Sequence, residues 1–144
     1  MAVPSPGKRR EFVRSALRYI LGVVVAYTGI ALGVALYGLI ALVPTPASWW
    51  KSAPELVIVA HQLVAFIPLA VLAGLVLERL LPERKLFASI ACTAGAMLLS
   101  VAGDPEAISS TGVFVLACLL LVFGLGIPAT VWIASFRRAR AKCL

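Results

Sequence analysis

Few residues in this chain have side chains able to do acid–base, nucleophilic or metal chemistry within its long apolar stretches. His61 is the single histidine of the 144 residues, and with Gln62 it forms the most polar pair inside those stretches. A haem or metal centre needs several converging ligands, and no second histidine or carboxylate lies inside an apolar stretch. A proton relay would need an acidic partner at the depth of His61, and the sequence places none there. Tyr37 lies about six residues before the end of the first apolar stretch, and His61 about two turns into the second. Antiparallel packing of those stretches puts the two at similar depth and predicts a Tyr37–His61 hydrogen bond. An unpaired polar group in hydrocarbon is costly, so a satisfied structural pair with Gln62 beside it is the expected role.

The remaining chemistry-bearing types are no better grouped. Cys92 and Cys118 sit among apolar residues as small hydrophobes, and Cys143 lies in the last, basic segment. The sequence has no Cys-x-x-Cys, no phosphate-cradling glycine loop and no nucleophile beside a base. No catalytic residue, cofactor or metal ligand is expected.

The elements that carry these residues are set by composition. Hydrophobic residues make up 62% and charged residues 13%, against roughly 45–50% and 25% in an ordinary soluble domain. So small a chain has too much surface for so few charges to cover, and lipid is the solvent that fits. Charge-free stretches cover residues 19–50, 56–77, 86–103 and 107–136, with Glu55 and Glu78 bounding the second. About 20 apolar residues cross the hydrocarbon core. The expected fold is therefore an all-α integral membrane protein, one domain forming an antiparallel bundle of four transmembrane helices near 12–43, 53–81, 83–102 and 105–138. Ser52 with Glu55 reads as a capping box starting the second helix, and Asp104–Pro105 as the start of the fourth. Short connections predict that consecutive helices pack as antiparallel neighbours. The first apolar run is much longer than the 7–15 residues of a signal-peptide core, and reads as an uncleaved anchor.

Orientation follows from the basic residues. Twelve of the thirteen lie in the N-terminal segment, the loop after the second stretch and the C-terminal tail, and only Lys51 lies in the other loops. This bias predicts both termini in the cytoplasm of a bacterial inner membrane, with the basic ends against anionic headgroups rather than nucleic acid. Trp49 and Trp50 then mark the outer interface, and Tyr19 and Trp132 the inner one.

Small residues supply the clearest pattern. Gly22, Ala26, Gly29 and Gly33 are spaced four, three and four, on one face of the first helix. Gly29 to Gly33 is a GxxxG motif, able to bring two helix backbones together either within the chain or against a partner. Ala88, Ala91, Gly95 and Ala102 predict a second such face on the third helix. Pro68 predicts a kink in the second helix, and Gly124 with Pro128 one in the fourth.

No Asp, Glu, Lys or Arg lies inside a span on this reading. Small four-helix drug exporters are similar in size but carry a membrane glutamate. In length and topology the chain resembles bacterial immunity proteins against membrane-inserting toxins. That resemblance implies non-catalytic action by helix–helix contact with another membrane protein or an inserted toxin. An accessory subunit of a membrane complex would have the same format, and self-association into a homo-oligomer fits it too. The alternative is a small oligomeric transporter or channel for an uncharged solute, with Tyr37, His61, Gln62 and the Pro128 region along the route.

Overall fold

A computed structural model describes residues 6–81, 85–103 and 113–141. It is all-helical, with no strand among the described residues. Helix α1 spans Pro6–Ala41, α2 is the short Ala47–Ser52, α3 spans Pro54–Leu80, α4 spans Lys85–Gly103 and α5 spans Val113–Ala141. Three of them, α1, α3 and α5, are long and apolar enough to cross a membrane. At 19 residues α4 is shorter, about 28 Å long, and just matches a hydrocarbon core of about 30 Å. The chain is thus a membrane protein by the length and apolarity of its helices. Most of its large apolar side chains face outward, among them Leu72, Leu98, Leu121 and Leu125.

The connection from α1 to α3 is ordered by local bonds. Trp50 donates its indole N–H to Thr45 Oγ1. Ser52 Oγ donates to the Ser48 carbonyl at 2.9 Å, which places it inside α2. The capping box is therefore not formed. Ala53 is the N-cap of α3 with no side-chain cap, and Pro54 starts the helix, where its missing N–H is no loss. The expected Asp104–Pro105 start of the last helix lies outside the described residues.

Around the bundle the helices follow the order α1, α3, α5, α4, each packing extensively on the next. Consecutive α3 and α4 are diagonal to each other and meet only slightly. The expectation that they would be neighbours is corrected here. The contacts show why: α3 and α5 run parallel, with Phe66 meeting Phe123, Ala70 meeting Gly126 and Gly74 meeting Thr130. Small residues four apart on both helices let these backbones close up, and that close packing takes the place beside α3 that α4 would otherwise fill.

The core is a column of buried Ala26, Ile30, Ala65, Phe66, Ala73, Leu77, Cys92, Ala96, Phe123, Ile127 and Val131. At its centre Phe66 and Phe123, both fully buried, lie 5.7 Å apart with rings tilted at 51°. Such tilted aromatic pairs contribute about 0.5–1.5 kcal/mol beyond their buried area. Pro68 and Pro128 both lie within helices that continue on either side of them. Pro68 faces outward, Pro128 is buried and Gly124 is half-buried against Met97.

Candidate functional site

The glycine face of α1 is used inside the chain. Gly22, Ala26, Gly29 and Gly33 are all buried. A methyl group on Gly22 would sit 2.7 Å from Cys92 Sγ, one on Gly29 3.2 Å from Ala73 Cβ, and one on Gly33 2.9 Å from Phe123 Cζ. This face therefore receives α3, α4 and α5 together, with Phe123 reaching across the bundle to α1. On α4 the buried line differs from the expected one. Ala88, Cys92 and Ala96 face inward with Ser89 and Thr93. Ala91 and Ala102 face outward, and Gly95 is half-buried against Val23. The buried residues repeat every four positions, whereas the spacing that picked out Ala91 drifts off that face.

Gly74 was not singled out by the sequence reading, yet it has the tightest approach to a neighbouring backbone. A Cβ there would lie 2.7 Å from Thr130 Cβ and 3.0 Å from the Ile127 carbonyl oxygen. Its signal in the sequence is the Ala70-xxx-Gly74 pair, which mates with Gly126-xxx-Thr130 on α5. Thr130 Oγ1 donates to the Gly126 carbonyl at 2.8 Å, so its hydroxyl is satisfied within its own helix. Beside this seam an outward-opening groove of about 180 Å³ is lined by Ile67, Ala70, Val71, Leu121, Val122, Gly126 and Thr130.

In the half of the bundle near α2, the three polar residues do not form the expected set. Tyr37 is half-buried, and its ring packs on Phe66 with centroids 6.1 Å apart. Among the described residues no hydrogen bond joins Tyr37 to His61. His61 is half-buried, whereas Gln62 is completely buried. Adjacent helical residues are turned about 100° apart, and here the turn puts Gln62 on the inward face of α3 and His61 at its edge. Among the described residues neither amide atom of Gln62 has a hydrogen-bond partner. A buried primary amide left unpaired costs on the order of 1–3 kcal/mol.

The other end of the bundle, its basic end, gathers Arg10, Arg14, Arg18, Arg79, Lys85, Arg137, Arg138 and Arg140. Arg140 lies over the Phe136 ring at 4.6 Å, and Phe136 stacks on Trp132. Here the structure departs most from the sequence reading. Glu78 is not a solvated boundary residue: its side chain is 1% exposed. Lys85 Nζ donates to Glu78 Oε1 at 2.7 Å, and Arg138 Nη1 lies 2.9 Å from Oε2. The second contact is an ion pair without an aligned hydrogen bond. One carboxylate thus joins α3 to the start of α4 and the last turns of α5. Among the described residues no three of His, Cys, Asp or Glu converge as a metal site would require.

Comparison with protein-family models, with curated protein sequences and with solved structures gives no match.

Proposed function

We propose that the chain spans the bacterial inner membrane four times with both termini in the cytoplasm. On this reading it acts without catalysis, by helix-to-helix contact with another membrane protein. Its best-fitting role is an immunity protein that neutralises a membrane-inserting toxin, or an accessory subunit of a membrane complex. The orientation draws on the basic residues, since the basic end collects every described Lys and Arg except Lys51.

The observation that carries the contact reading is the aromatic layer. Phe66, Phe123 and the Tyr37 ring fill the centre of the bundle against Gly33. A single copy is thereby packed shut at mid-depth, while its outer surface remains apolar. Partners would meet it through lipid-facing side chains. Deleting the gene and growing the deletant beside its toxin-delivering parent tests the immunity role. The deletant is expected to be killed, and its unimpaired survival would sink that role.

A second reading, a small oligomeric transporter for an uncharged solute, is favoured by the unpaired amide of Gln62. An interior hydrogen-bonding group with no protein partner is what a solute site would offer. Purified protein in liposomes tests it. Gln62→Ala should abolish solute flux, and full retained flux removes Gln62 from any route.

A further inference from the structure

Burying a carboxylate inside a bundle is costly unless it is paired, and Glu78 is paired twice. Its partners differ from it in exposure. Lys85 is partly exposed and Arg138 half-exposed, so both cations can reach water or lipid phosphate while Glu78 cannot. Two cations also share one carboxylate. Either can therefore swing away to a headgroup while the other still balances Glu78.

Behind this cluster Leu77, Leu81 and Val131 are buried on the apolar side, and α4 adds a polar stripe. Lys85, Ser89 and Thr93 follow one another at intervals of four on α4, on a single face. Ser89 and Thr93 are buried, and each donates its hydroxyl proton to a carbonyl of its own helix, Leu86 and Ser89, at 2.7 and 2.8 Å. Their oxygens keep acceptor capacity. The stripe reaches about 12 Å inward from Lys85. It stops short of the aromatic layer, because Cys92 lies against Gly22 whereas Phe123 lies against Gly29 and Gly33. α3 and α4 are diagonal and meet only slightly, and the Glu78–Lys85 pair adds a side-chain bridge between them at this end.

We propose that Glu78, Lys85 and Arg138 form an ion-pair latch. Closed, it seals the basic end of the bundle over the Ser89–Thr93 stripe; released, it opens the inner half of the bundle to the aqueous phase on that side. The aromatic layer keeps the other half shut in both states. The latch is independent of whether the protein works by contact or by transport.

Thiol accessibility in the full-length, membrane-embedded protein tests this. With Cys92, Cys118 and Cys143 replaced by alanine, Thr93→Cys reports on the stripe and Ala65→Cys on the fully buried opposite half. Membrane vesicles of both orientations are treated with a membrane-impermeant maleimide. Labelling tracks the open fraction, so Glu78→Gln should raise the Thr93→Cys rate about tenfold while leaving Ala65→Cys unchanged. Arg138→Gln, which leaves the Lys85 pair in place, should give a smaller rise, and Glu78→Asp should keep the rate near that of the parent. Unchanged labelling at Thr93→Cys in both Glu78→Gln and Arg138→Gln would overturn the latch. So would an equal rise at Ala65→Cys, which would mean that the whole bundle had loosened.

Discussion

The α3–α5 seam makes a sharp prediction because two glycines in the same interface should respond unequally to the same substitution. A Cβ on Gly126 would meet Ala70 Cβ at 3.5 Å, an ordinary contact. A Cβ on Gly74 would meet Thr130 Cβ at 2.7 Å and the Ile127 carbonyl oxygen at 3.0 Å. Neither atom can swing away, one being a backbone oxygen and the other a β-carbon fixed to its helix. Replacing glycine by alanine within a helix contributes about 1 kcal/mol in both cases. That gain cancels in the comparison, leaving the overpacking cost of about 1–3 kcal/mol at Gly74. Gly126→Ala should be neutral or stabilising, and Gly74→Ala should lie below it by that difference. In the folding equilibrium this is about fivefold at the low end and more than about a hundredfold at the high end. Reversible unfolding in mixed dodecyl maltoside and SDS micelles, followed by circular dichroism, measures it. Equal unfolding midpoints for the two variants would refute the close α3–α5 packing.

Three further outcomes follow from the same contacts. Replacing Lys85 and Arg138 together by methionine strands the buried Glu78 carboxylate and should cost about 3–5 kcal/mol. Glu78→Gln should cost less, since both freed cations can reach solvent, and the reverse order in detergent unfolding would contradict the burial of Glu78. Gln62→Leu should stabilise the protein by about 1–3 kcal/mol by removing an unpaired buried amide, and a lower melting temperature would show that the amide is satisfied. Phe123→Ala empties the centre of the bundle beside Phe66 and Gly33 and should cost about 3–5 kcal/mol; a loss well under 1 kcal/mol would place Phe123 outside the core.

The parts of this fold legible in the sequence are those set by a single helix and its solvent. The long apolar helices were readable because lipid demands about 20 apolar residues for each crossing. The inward face of α1 was readable because Gly22, Ala26, Gly29 and Gly33 keep a helical period. What escaped depends on residues far apart. Glu78 looked like the end of a span, since a charge closing an apolar run normally marks the interface. Its burial depends on Lys85 at the start of α4 and on Arg138 in the last turns of α5. The diagonal placement of α3 and α4 is likewise fixed by how Gly74 and Ala70 mate with α5, which loop length does not encode. Ser52 and Glu55 had the spacing of a capping box, but α2 takes Ser52 into its own hydrogen bonds. The expected Tyr37–His61 pair rests on depth alone, and depth does not say which of His61 and Gln62 faces the core.

In the proposed topology the basic end of a four-span bundle, with both termini, lies in the cytoplasm and the opposite end carries α2. Sided thiol labelling of intact cells tests it most directly, with Ser48→Cys in α2 compared with native Cys143. An impermeant maleimide added outside should label Ser48→Cys and reach Cys143 only after the cells are opened. Labelling of Cys143 from outside in intact cells would contradict it.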